Sequence, residues 1–323
     1  MTTVLVVGGA GYVGSHACKA LAAAGYTPVV YDDLSLGHEW AVKWGPLEVG
    51  DIHDAERLDS VFQKYAPVAV MHFAAYAYVG ESMTEPEKYY QLNVSGTLAL
   101  LSAMRRAKCH NLVFSSSCTV YGDASESISE SHAINPINPY GVTKAFSERM
   151  IQDFGAAYGL NAIAFRYFNA AGADPDGEIG EDHDPEPHLI PVIISAALGN
   201  RDSISVFGTD YPTPDGSCVR DYVHVADLAQ AHVLGLQRLL SGGSGGAFNL
   251  ANGKGYSVFE VIEAVKRVSG KDFRVEKAAR RPGDPASLVA ESYLARKELG
   301  WTPKFETLDS IVETAWNWHK GRK

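Results

Sequence analysis

Short apolar runs alternate with helical segments through the first half of this sequence. Most of the runs are continuous stretches of Val, Ile, Leu and Phe, which are typical of strands buried on both faces of a sheet. Because successive parallel strands need right-handed crossovers, the alternation predicts an α/β fold with a doubly wound parallel sheet. The predicted strands are Val4–Val7, Pro28–Tyr31, Leu47–Val49, Val68–Phe73, Asn111–Ser115 and Asn161–Tyr167, and the predicted helices are Tyr12–Ala24, Ala55–Lys64, Glu87–Ala107 and Tyr140–Tyr158.

The composition changes after Asn169. Residues Gly172–His188 hold many Gly, Pro, Asp and Glu but few large apolar side chains, which indicates a long irregular loop. We therefore expect two lobes, residues 1–172 with the doubly wound sheet and residues 173–323 as a smaller mixed α/β C-terminal lobe. Residues 222–250 are the segment that could instead pack back on the first lobe. The second half is predicted to contain helices at Leu189–Leu198, Val225–Leu240, Val258–Val268 and Ser310–His319, and strands at Ser203–Phe207 and Ala247–Leu250.

The charge balance disfavours several classes of partner. The chain has 28 basic and 38 acidic residues, a net charge of −10, so neither nucleic acid nor an anionic membrane is an expected partner. The four cysteines show no disulfide spacing, and the N-terminus has neither a basic segment nor a long apolar one. No apolar run in the sequence approaches the length of a membrane helix. These observations predict a cytoplasmic location.

A glycine-rich turn follows the first predicted strand. The turn Gly8–Gly14 has the pattern G-x-x-G-x-x-G and opens the first predicted helix. Glycines let the backbone approach a pyrophosphate, and the helix N-terminus offers free N–H groups to it. Asp32 ends the second strand, where a carboxylate can bind both ribose hydroxyls and repel a 2′-phosphate. The pattern predicts a Rossmann-like first lobe with NAD, rather than NADP, as its cofactor, and Asp51-Ile52 is expected at the adenine edge.

Two further segments carry groups suited to proton transfer. A predicted strand ends in the hydroxyl-rich run Ser115–Thr119, and open α/β sheets bind their ligands at strand carboxyl ends. Tyr140 and Lys144 stand at helix positions i and i+4, on one face. An ammonium about 6 Å from the phenol, at an effective dielectric constant of about 20, would favour phenolate by about 2.8 kcal/mol, or about two pKa units. We therefore expect Tyr140 to exchange a proton with a sugar hydroxyl that Ser117 holds in place.

Several segments identify one family when they are taken together. They are VGGAGYVGSH, GDI, HFAA, VGES, NVSGT, FSSSCTVYG, PYGVTK, RYFNAAG, VRDYVHVADLA and RRPGD. With them the chain resembles the extended short-chain dehydrogenase/reductase family from Val7 to about Ala290, and most closely its UDP-hexose 4-epimerases. The resemblance implies that the C-terminal lobe is a nucleotide-sugar substrate lobe.

The resemblance also implies roles for individual residues. Ser117, Tyr140 and Lys144 match the catalytic residues of the family. The positions expected to bind the cofactor are Gly8, Gly11, Tyr12, Val13, Gly14, Asp32, Asp33, Asp51, Ile52, Phe73, Ala74, Ala75, Asn93, Tyr140, Lys144 and Tyr167. The positions expected to bind substrate are Ser117, Thr119, Tyr140, Asn169, Leu189, Phe207, Arg220, Arg281, Asp284 and Leu288.

The activity that the resemblance implies is reversible 4-epimerisation of a UDP-hexose, UDP-galactose to UDP-glucose, by transient oxidation at C4 with tightly bound NAD. UDP-pentose, UDP-uronic acid and UDP-N-acetylhexosamine remain alternative substrates, and a non-catalytic NAD-binding protein is the alternative from another class. Dehydratases and decarboxylases of this scaffold usually carry an acidic residue after the catalytic hydroxyl, whereas Cys118-Thr119 follows Ser117 here. Relatives form homodimers, for which Glu87–Ala107 and Tyr140–Tyr158 are the expected contact helices.

Three positions depart from the best-known pattern of the family. The segment Phe73–Val79 lacks a lysine that contacts the cofactor in some members, which predicts weaker cofactor retention. His188 replaces an asparagine, and Leu288 stands where some members have tyrosine, which predicts a roomier sugar pocket.

One loop gathers residues of the types that bind metals: Asp182, His183, Asp184, Glu186 and His188. Their spacing matches no closed zinc or calcium pattern. We expect a solvated loop and no metal.

Overall fold

The computed structural model describes residues 2–122, 127–281 and 285–322. Within them, no helix is both long and apolar enough to span a membrane. The strands are β1 (Thr2–Val7), β2 (Tyr26–Asp32), β3 (Leu47–Val49), β4 (Ala69–His72), β5 (Asn111–Ser117), β6 (Asn161–Tyr167), β7 (Asn169–Ala171), β8 (Ser203–Phe207), β9 (Val219–His224), β10 (Gly246–Leu250), β11 (Gly255–Ser257), β12 (Arg274–Ala278) and β13 (Ser287–Leu288).

Helices flank these strands and connect them. The α-helices are α1 (Tyr12–Ala23), α2 (Ala55–Tyr65), α3 (Val79–Thr84), α4 (Pro86–Tyr89), α5 (Thr97–Ala107), α6 (Pro139–Tyr158), α7 (Leu189–Ala197), α8 (Val225–Leu240), α9 (Val258–Ser269), α10 (Tyr293–Leu299) and α11 (Leu308–Gly321).

The central sheet contains seven parallel strands in the order β10-β6-β5-β4-β1-β2-β3. Its order reverses direction at β1, with β2 and β3 on one side and β4, β5 and β6 on the other. This is the predicted Rossmann-like doubly wound sheet. The last strand, β10, comes from the second half of the chain and pairs with β6.

The continuous apolar runs are explained by burial on both faces of this sheet. Val4 and Val6 of β1 pack on one face with residues of α1 and α8, whereas Leu5 and Val7 pack on the other face with residues of α2 and α5. All four side chains are buried. Removing such apolar surface from water is the main favourable contribution to the free energy of folding.

The remaining elements pack around a separate apolar core. A small sheet has the order β11-β9-β13 with β7 paired to β9, and β8 pairs with β12. Helices α7, α9 and α11 bury Ile193, Val261 and Ile311 against one another. Strand β9 pairs with β7, which follows the central sheet directly, and also with β13. It therefore brings late parts of the sequence close to the strand ends of the first sheet.

The predicted helix Glu87–Ala107 is one helical stretch with a wider turn inside it. Helix α4 ends at Tyr89, a π-helical segment spans Tyr90–Gly96, and α5 follows. Such π segments are rare, and they occur frequently at functional sites. Apolar periodicity did not predict the segment. It also did not predict β9 and β12, whose charged residues interrupt the apolar pattern, or the short helices α3 and α10.

Candidate cofactor and catalytic site

The glycine turn packs so closely that two of its glycines admit no side chain. Gly8 has φ of +80°, and a Cβ added there would lie 2.4 Å from the amide nitrogen of Ala74. A Cβ at Gly14 would lie 2.1 Å from the carbonyl oxygen of Gly8, whereas one at Gly11 would meet that oxygen only at 3.5 Å. Gly11 is the N-cap of α1 and makes no side-chain capping bond, so the N–H groups of the first turn are left for a ligand. This cradle fits an anionic pyrophosphate.

The first two residues of α1 are Tyr12 and Val13, which are half-buried. The Tyr12 hydroxyl donates a hydrogen bond to the carbonyl oxygen of Gly172 at 2.6 Å, and burial raises its pKa well above the usual value. Tyr12 therefore ties the start of α1 to the loop that follows β7.

Asp32 supports the same turn from the end of β2. Its Oδ2 accepts a hydrogen bond from the amide of Ala10 at 2.9 Å, and its Oδ1 accepts one from the amide of Leu34 at 3.0 Å. Burial raises the pKa of Asp32, against these hydrogen bonds. Since a carboxylate has about four acceptor positions, two remain for ribose hydroxyls. Asp33 instead accepts from the amide and hydroxyl of Ser35 and is exposed.

Further residues predicted to bind the cofactor follow β3 and β4, which are separated by β1 and β2 in the central sheet. Asp51 is exposed and pairs with His53 at 2.8 Å, and the His53 amide lowers the pKa of Asp51. Ile52 is buried in the core between α2 and α5. The amides of Phe73 and Ala74 both donate to the carbonyl of Val7, and they thereby fold the loop after β4 over the glycine turn. Ala75 continues this loop and is half-buried.

Asn93, in the π-helical segment, fixes that loop. Its Oδ1 accepts from the amide of Tyr76 at 2.9 Å, and its Nδ2 donates to the carbonyl of Tyr76 and the hydroxyl of Thr143, both at 3.0 Å. These bonds join the loop after β4 to α6. The geometry makes Asn93 a positioning residue for the loop.

Ser117, Tyr140 and Lys144 lie together at the carboxyl end of β5. Asn138 caps α6 by accepting a hydrogen bond from the Gly141 amide at 2.8 Å, which sets the start of the helix that carries Tyr140 and Lys144. Lys144 Nζ lies 5.9 Å from the centre of the Tyr140 ring and donates to the carbonyl of Ser115 at 2.7 Å. All three side chains are buried. The helix spacing therefore produces the predicted group.

The protein's own groups set these pKa values differently from our expectation. Burial raises the pKa of Tyr140 above its usual value, although a hydrogen bond with Ser117 acts in the opposite direction. Burial also lowers the pKa of Lys144 to about 7, opposed by Glu148. Burial therefore outweighs the opposing hydrogen bond in setting the pKa of Tyr140, and the effect of the Lys144 charge on the phenol remains a prediction. What the site holds is a lysine that changes charge near neutral pH beside a buried phenol.

A buried ion pair between α6 and β6 lies next to this site. Glu148 lies one further turn along α6 from Lys144 and binds Arg166 of β6, with side chains only 5% and 7% exposed. Arg166 also donates to the hydroxyl of Tyr121 at 2.9 Å, and the Ser116 hydroxyl donates to Glu148. This pair was not predicted from the sequence, although Glu148 continues the i, i+4 spacing of Tyr140 and Lys144. Tyr167, the next residue of β6, shares a hydrogen bond with the Ser115 hydroxyl, and burial raises its pKa to about 12.

The predicted substrate residues come from the small sheets and from α7. The Arg281 guanidinium lies 3.9 Å from the centre of the Phe207 ring. Arg220 of β9 is in register with Leu288 of β13, and its charge opposes the burial that raises the pKa of Cys118 to about 12. Arg220 is thus close to the residue that follows Ser117. Thr119 donates a hydrogen bond to the Ser117 hydroxyl at 3.0 Å. Asn169 lies at the start of β7 and Leu189 at the start of α7. Asp284 lies outside the described residues.

The acidic loop before α7 is only partly solvated, because Asp184 is exposed and His188 is 40% exposed whereas other members are more buried. His183 and Glu186 are 17% and 19% exposed, and they meet Glu181, which is 5% exposed. Burial lowers the pKa of His183 and of His188, but the two carboxylates outweigh it and raise these values to about 9 and about 10. Glu181 was not among the residues that the sequence indicated. Asp182 points elsewhere, to His38 and Arg322.

The fold and the site define a dinucleotide-binding α/β enzyme of the short-chain dehydrogenase/reductase type. Residues 4–251 match the sequence model of the NAD dependent epimerase/dehydratase family. The chain belongs to this family.

Named relatives match the whole chain. A UDP-glucose 4-epimerase of Rhizobium meliloti is 53% identical over 320 residues, which cover 99% of this chain and 97% of the relative. The crystal structure of a UDP-glucose 4-epimerase from Brucella ovis in complex with NAD superposes with a TM-score of 0.96 at 52% identity, covering 98% of each chain. That of a UDP-glucose 4-epimerase from Bifidobacterium longum in complex with NAD+ and UDP gives a TM-score of 0.94 at 36% identity, covering 99% of each chain.

Proposed function

We propose that this chain catalyses the reversible 4-epimerisation of UDP-galactose and UDP-glucose with NAD as its resident cofactor. The observation that carries the proposal is the buried group of Ser117, Tyr140 and Lys144 at the end of β5. This group lies on the same edge of the sheet as the open N-terminus of α1 and near Arg220 of the small sheet. The full-length similarity to named UDP-glucose 4-epimerases supports the same activity.

The chain's own residues fit NAD. The amides at the start of α1 would bind the pyrophosphate, and the free lone pairs of Asp32 would bind the adenosine ribose. Asp33 and Asp51-Ile52 follow β2 and β3, and Tyr12, Val13, Ala74, Ala75 and Tyr167 are further positions proposed to contact the cofactor. When bound, NAD supplies a hydride acceptor for C4 of the sugar and gives the hydride back, so the reaction has no net oxidation.

Tyr140 moves the proton of the sugar 4-hydroxyl, and Ser117 holds the same oxygen by a hydrogen bond. Burial disfavours both a lone phenolate and a lone ammonium at this site. A phenolate beside a protonated Lys144 is less costly than either ion alone, because opposite charges a few ångströms apart attract each other. Lys144 therefore acts by making the deprotonated form of Tyr140 accessible near neutral pH.

The second lobe would hold the UDP group while the sugar rotates to present its other face. Arg220 and Arg281 offer planar, fork-shaped donors that suit a diphosphate. The Arg281 guanidinium stacks on the Phe207 ring. Asn169, Leu189 and Leu288 are the other residues proposed to contact the substrate. Gripping the substrate at UDP leaves the hexose free to present its opposite face after oxidation at C4.

UDP-N-acetylhexosamine is a second candidate substrate. Leu288, which is half-buried in β13, is smaller than the tyrosine that some members of the family carry at this position. Comparing turnover of UDP-N-acetylgalactosamine with that of UDP-galactose tests the roomier pocket, and complete inactivity on the former would reject it.

We also propose that the protein forms a homodimer in the cytoplasm. Leu98 of α5 and Phe146 of α6 are 45% and 53% exposed, so both expected contact helices carry large apolar side chains on their outer faces. Cys18, Cys109, Cys118 and Cys218 are buried free thiols, which is consistent with a reducing compartment.

The test is conversion of UDP-galactose to UDP-glucose by purified protein without added cofactor. Replacing Tyr140 with Phe removes only the hydroxyl, and loss of a general acid/base is expected to slow turnover by about 10²–10⁴-fold. Tyr158→Phe, an exposed tyrosine on the same helix, is the matched control and should retain wild-type turnover. Unchanged turnover in Tyr140→Phe would remove Tyr140 from its role, and release of free NADH would indicate a dehydrogenase instead.

A further inference from the structure

Two carboxylates and two imidazoles meet in the loop between β7 and α7, apart from the proposed catalytic group. One potential ligand atom from each of Glu181, His183, Glu186 and His188 lies within 4.8 Å of all the others. His188 Nδ1 lies 2.7 Å from Glu181 and 2.9 Å from Glu186. His183 Nδ1 lies 3.4 Å from each of the same carboxylates. Four ligand atoms of the kinds that bind transition metals are thus already assembled.

These separations are close to those around a small tetrahedral cation. Zinc bonds to nitrogen and oxygen of about 2.0–2.1 Å place the four ligand atoms about 3.4 Å apart. The contacts of His183 have this spacing, and those of His188 would need to lengthen by about 0.5–0.7 Å. Two carboxylates also balance the charge of a divalent ion when both imidazoles are neutral. The mixture of imidazole and carboxylate ligands favours a borderline metal over calcium or magnesium.

The surroundings hold these side chains in place. The rings of Tyr12 and Tyr78 stand edge-on to His183, at 6.4 and 6.1 Å between ring centres. The carbonyl oxygen of Glu181 accepts a hydrogen bond from the Trp318 indole at 3.0 Å. Metal sites depend on such packing, because it orients the ligands before the ion arrives.

A second acidic group on the same loop provides an internal contrast. Asp174, Asp176 and Glu178 also lie close enough together to be considered as ligands. Lys19 Nζ, however, lies within 2.8 Å of all three carboxylates. The lysine ammonium thus already neutralises this group, whereas the histidines of the other cluster can release their protons and coordinate a cation.

We propose that Glu181, His183, Glu186 and His188 form a structural site for a divalent cation of the zinc class. Such an ion would join the loop to the start of α7, because His188 is the N-cap of that helix. The loop is also anchored to the first lobe, since the ring of His38 contacts the carbonyl of Asp182 at 2.8 Å. A bound ion would therefore fix the position of α7 relative to the central sheet. The proposal does not depend on the proposed function.

The test uses the full chain without a histidine tag, which would itself bind zinc. Protein treated with chelator is titrated with Zn²⁺ in a calorimeter and, separately, with Co²⁺, whose visible absorption reports tetrahedral coordination. We expect one ion per chain, tetrahedral cobalt bands and a melting temperature that rises with zinc. His183→Gln and Glu186→Gln should each weaken zinc binding by about 100-fold or more, since each removes a ligand.

Asp176→Asn is the matched control, because it removes an acidic group from the same loop without touching the four proposed ligands. It should leave zinc affinity unchanged. Far-ultraviolet circular dichroism establishes that each variant is folded, and two ligand variants are made so that the failure of one to fold still leaves a test. Absence of zinc binding at micromolar concentrations would overturn the proposal. So would zinc binding that survives in a folded His183→Gln or Glu186→Gln variant, because that would place the ion elsewhere.

Discussion

Replacing Glu148 with Gln should lower the free energy of unfolding by about 3–5 kcal/mol, because it leaves the Arg166 guanidinium buried without its counter-charge. Arg166 Nε lies 2.9 Å from Glu148 Oε1 and its Nη2 lies 2.5 Å from Oε2, which is a two-point contact. Both side chains are almost fully buried. Gln keeps the shape and one acceptor oxygen, so the expected loss reflects the missing charge.

The structure also indicates how that loss can be recovered. Replacing both partners with apolar residues of similar size, as in the double variant Glu148→Leu with Arg166→Met, leaves no unpaired ion in the interior. Exchanges of this kind are often neutral or stabilising. The double variant should therefore unfold at a higher denaturant concentration than Glu148→Gln. Tyr121 still donates to Asn249 at 2.7 Å after Arg166 is removed, so its hydroxyl retains a partner.

The assay is urea unfolding followed by both tryptophan fluorescence and circular dichroism, whose transitions must coincide before free energies are compared. Asp153→Asn is the control on the same helix. Asp153 pairs with Arg149, but both side chains are exposed, and surface pairs contribute only about 0–1 kcal/mol. A loss below about 1 kcal/mol for Glu148→Gln would refute the reasoning, because it would mean that water still reaches the pair.

Two further predictions concern the cofactor turn and the buried lysine. Gly14→Ala places a methyl group 2.1 Å from the Gly8 carbonyl oxygen, so we expect purified protein to lose bound NAD, measured by chromatography after acid release. Gly80→Ala, where an added Cβ meets nothing within 4 Å, should keep it, and full NAD content in Gly14→Ala would contradict the packing argument. Burial lowers the pKa of Lys144 to about 7, so between that pH and its unfolded pKa of about 10.4 the folded state binds fewer protons than the unfolded state. Its contribution therefore makes stability rise with pH across this range, by up to about 1.4 kcal/mol per pH unit. Lys144→Met should remove that rise in urea unfolding at pH 7 and pH 9, and an unchanged pH dependence would show that the amine is solvated.

The sequence predicted the fold well because two-sided burial leaves a direct pattern. Strands β3 and β6 were predicted to the residue, since each is bounded by clear turn or helix signals. The π-helical segment Tyr90–Gly96 was not predicted. Its hydrogen bonds join residues five apart instead of four, and this change leaves the apolar pattern almost intact. Strand β9 was hidden by Arg220 and Asp221, whose charges are accommodated only by tertiary contacts.

The sequence predicted which catalytic candidates lie together but not their electrostatics. The spacing of Tyr140 and Lys144 fixed which side chains meet, because a helix determines that geometry locally. Their pKa values depend on how much water the rest of the protein excludes, which spacing alone does not reveal. The same limit left Glu181 out of the group of possible ligands that the sequence indicated in this loop. Only the fold shows that Trp318 binds the Glu181 carbonyl and that Tyr78 packs against His183.

Strand β10 belongs to the central sheet but is synthesised late, which affects folding during biosynthesis. The outermost strand of the central sheet comes from Gly246–Leu250, and α8, which covers α1, comes just before it. A polypeptide that has emerged from the ribosome only as far as residue 172 would have β6 as an unpaired edge strand. The apolar face of α1 would also be exposed to water. The amino-terminal half should therefore depend on chaperones, or aggregate, until about three quarters of the chain has been made.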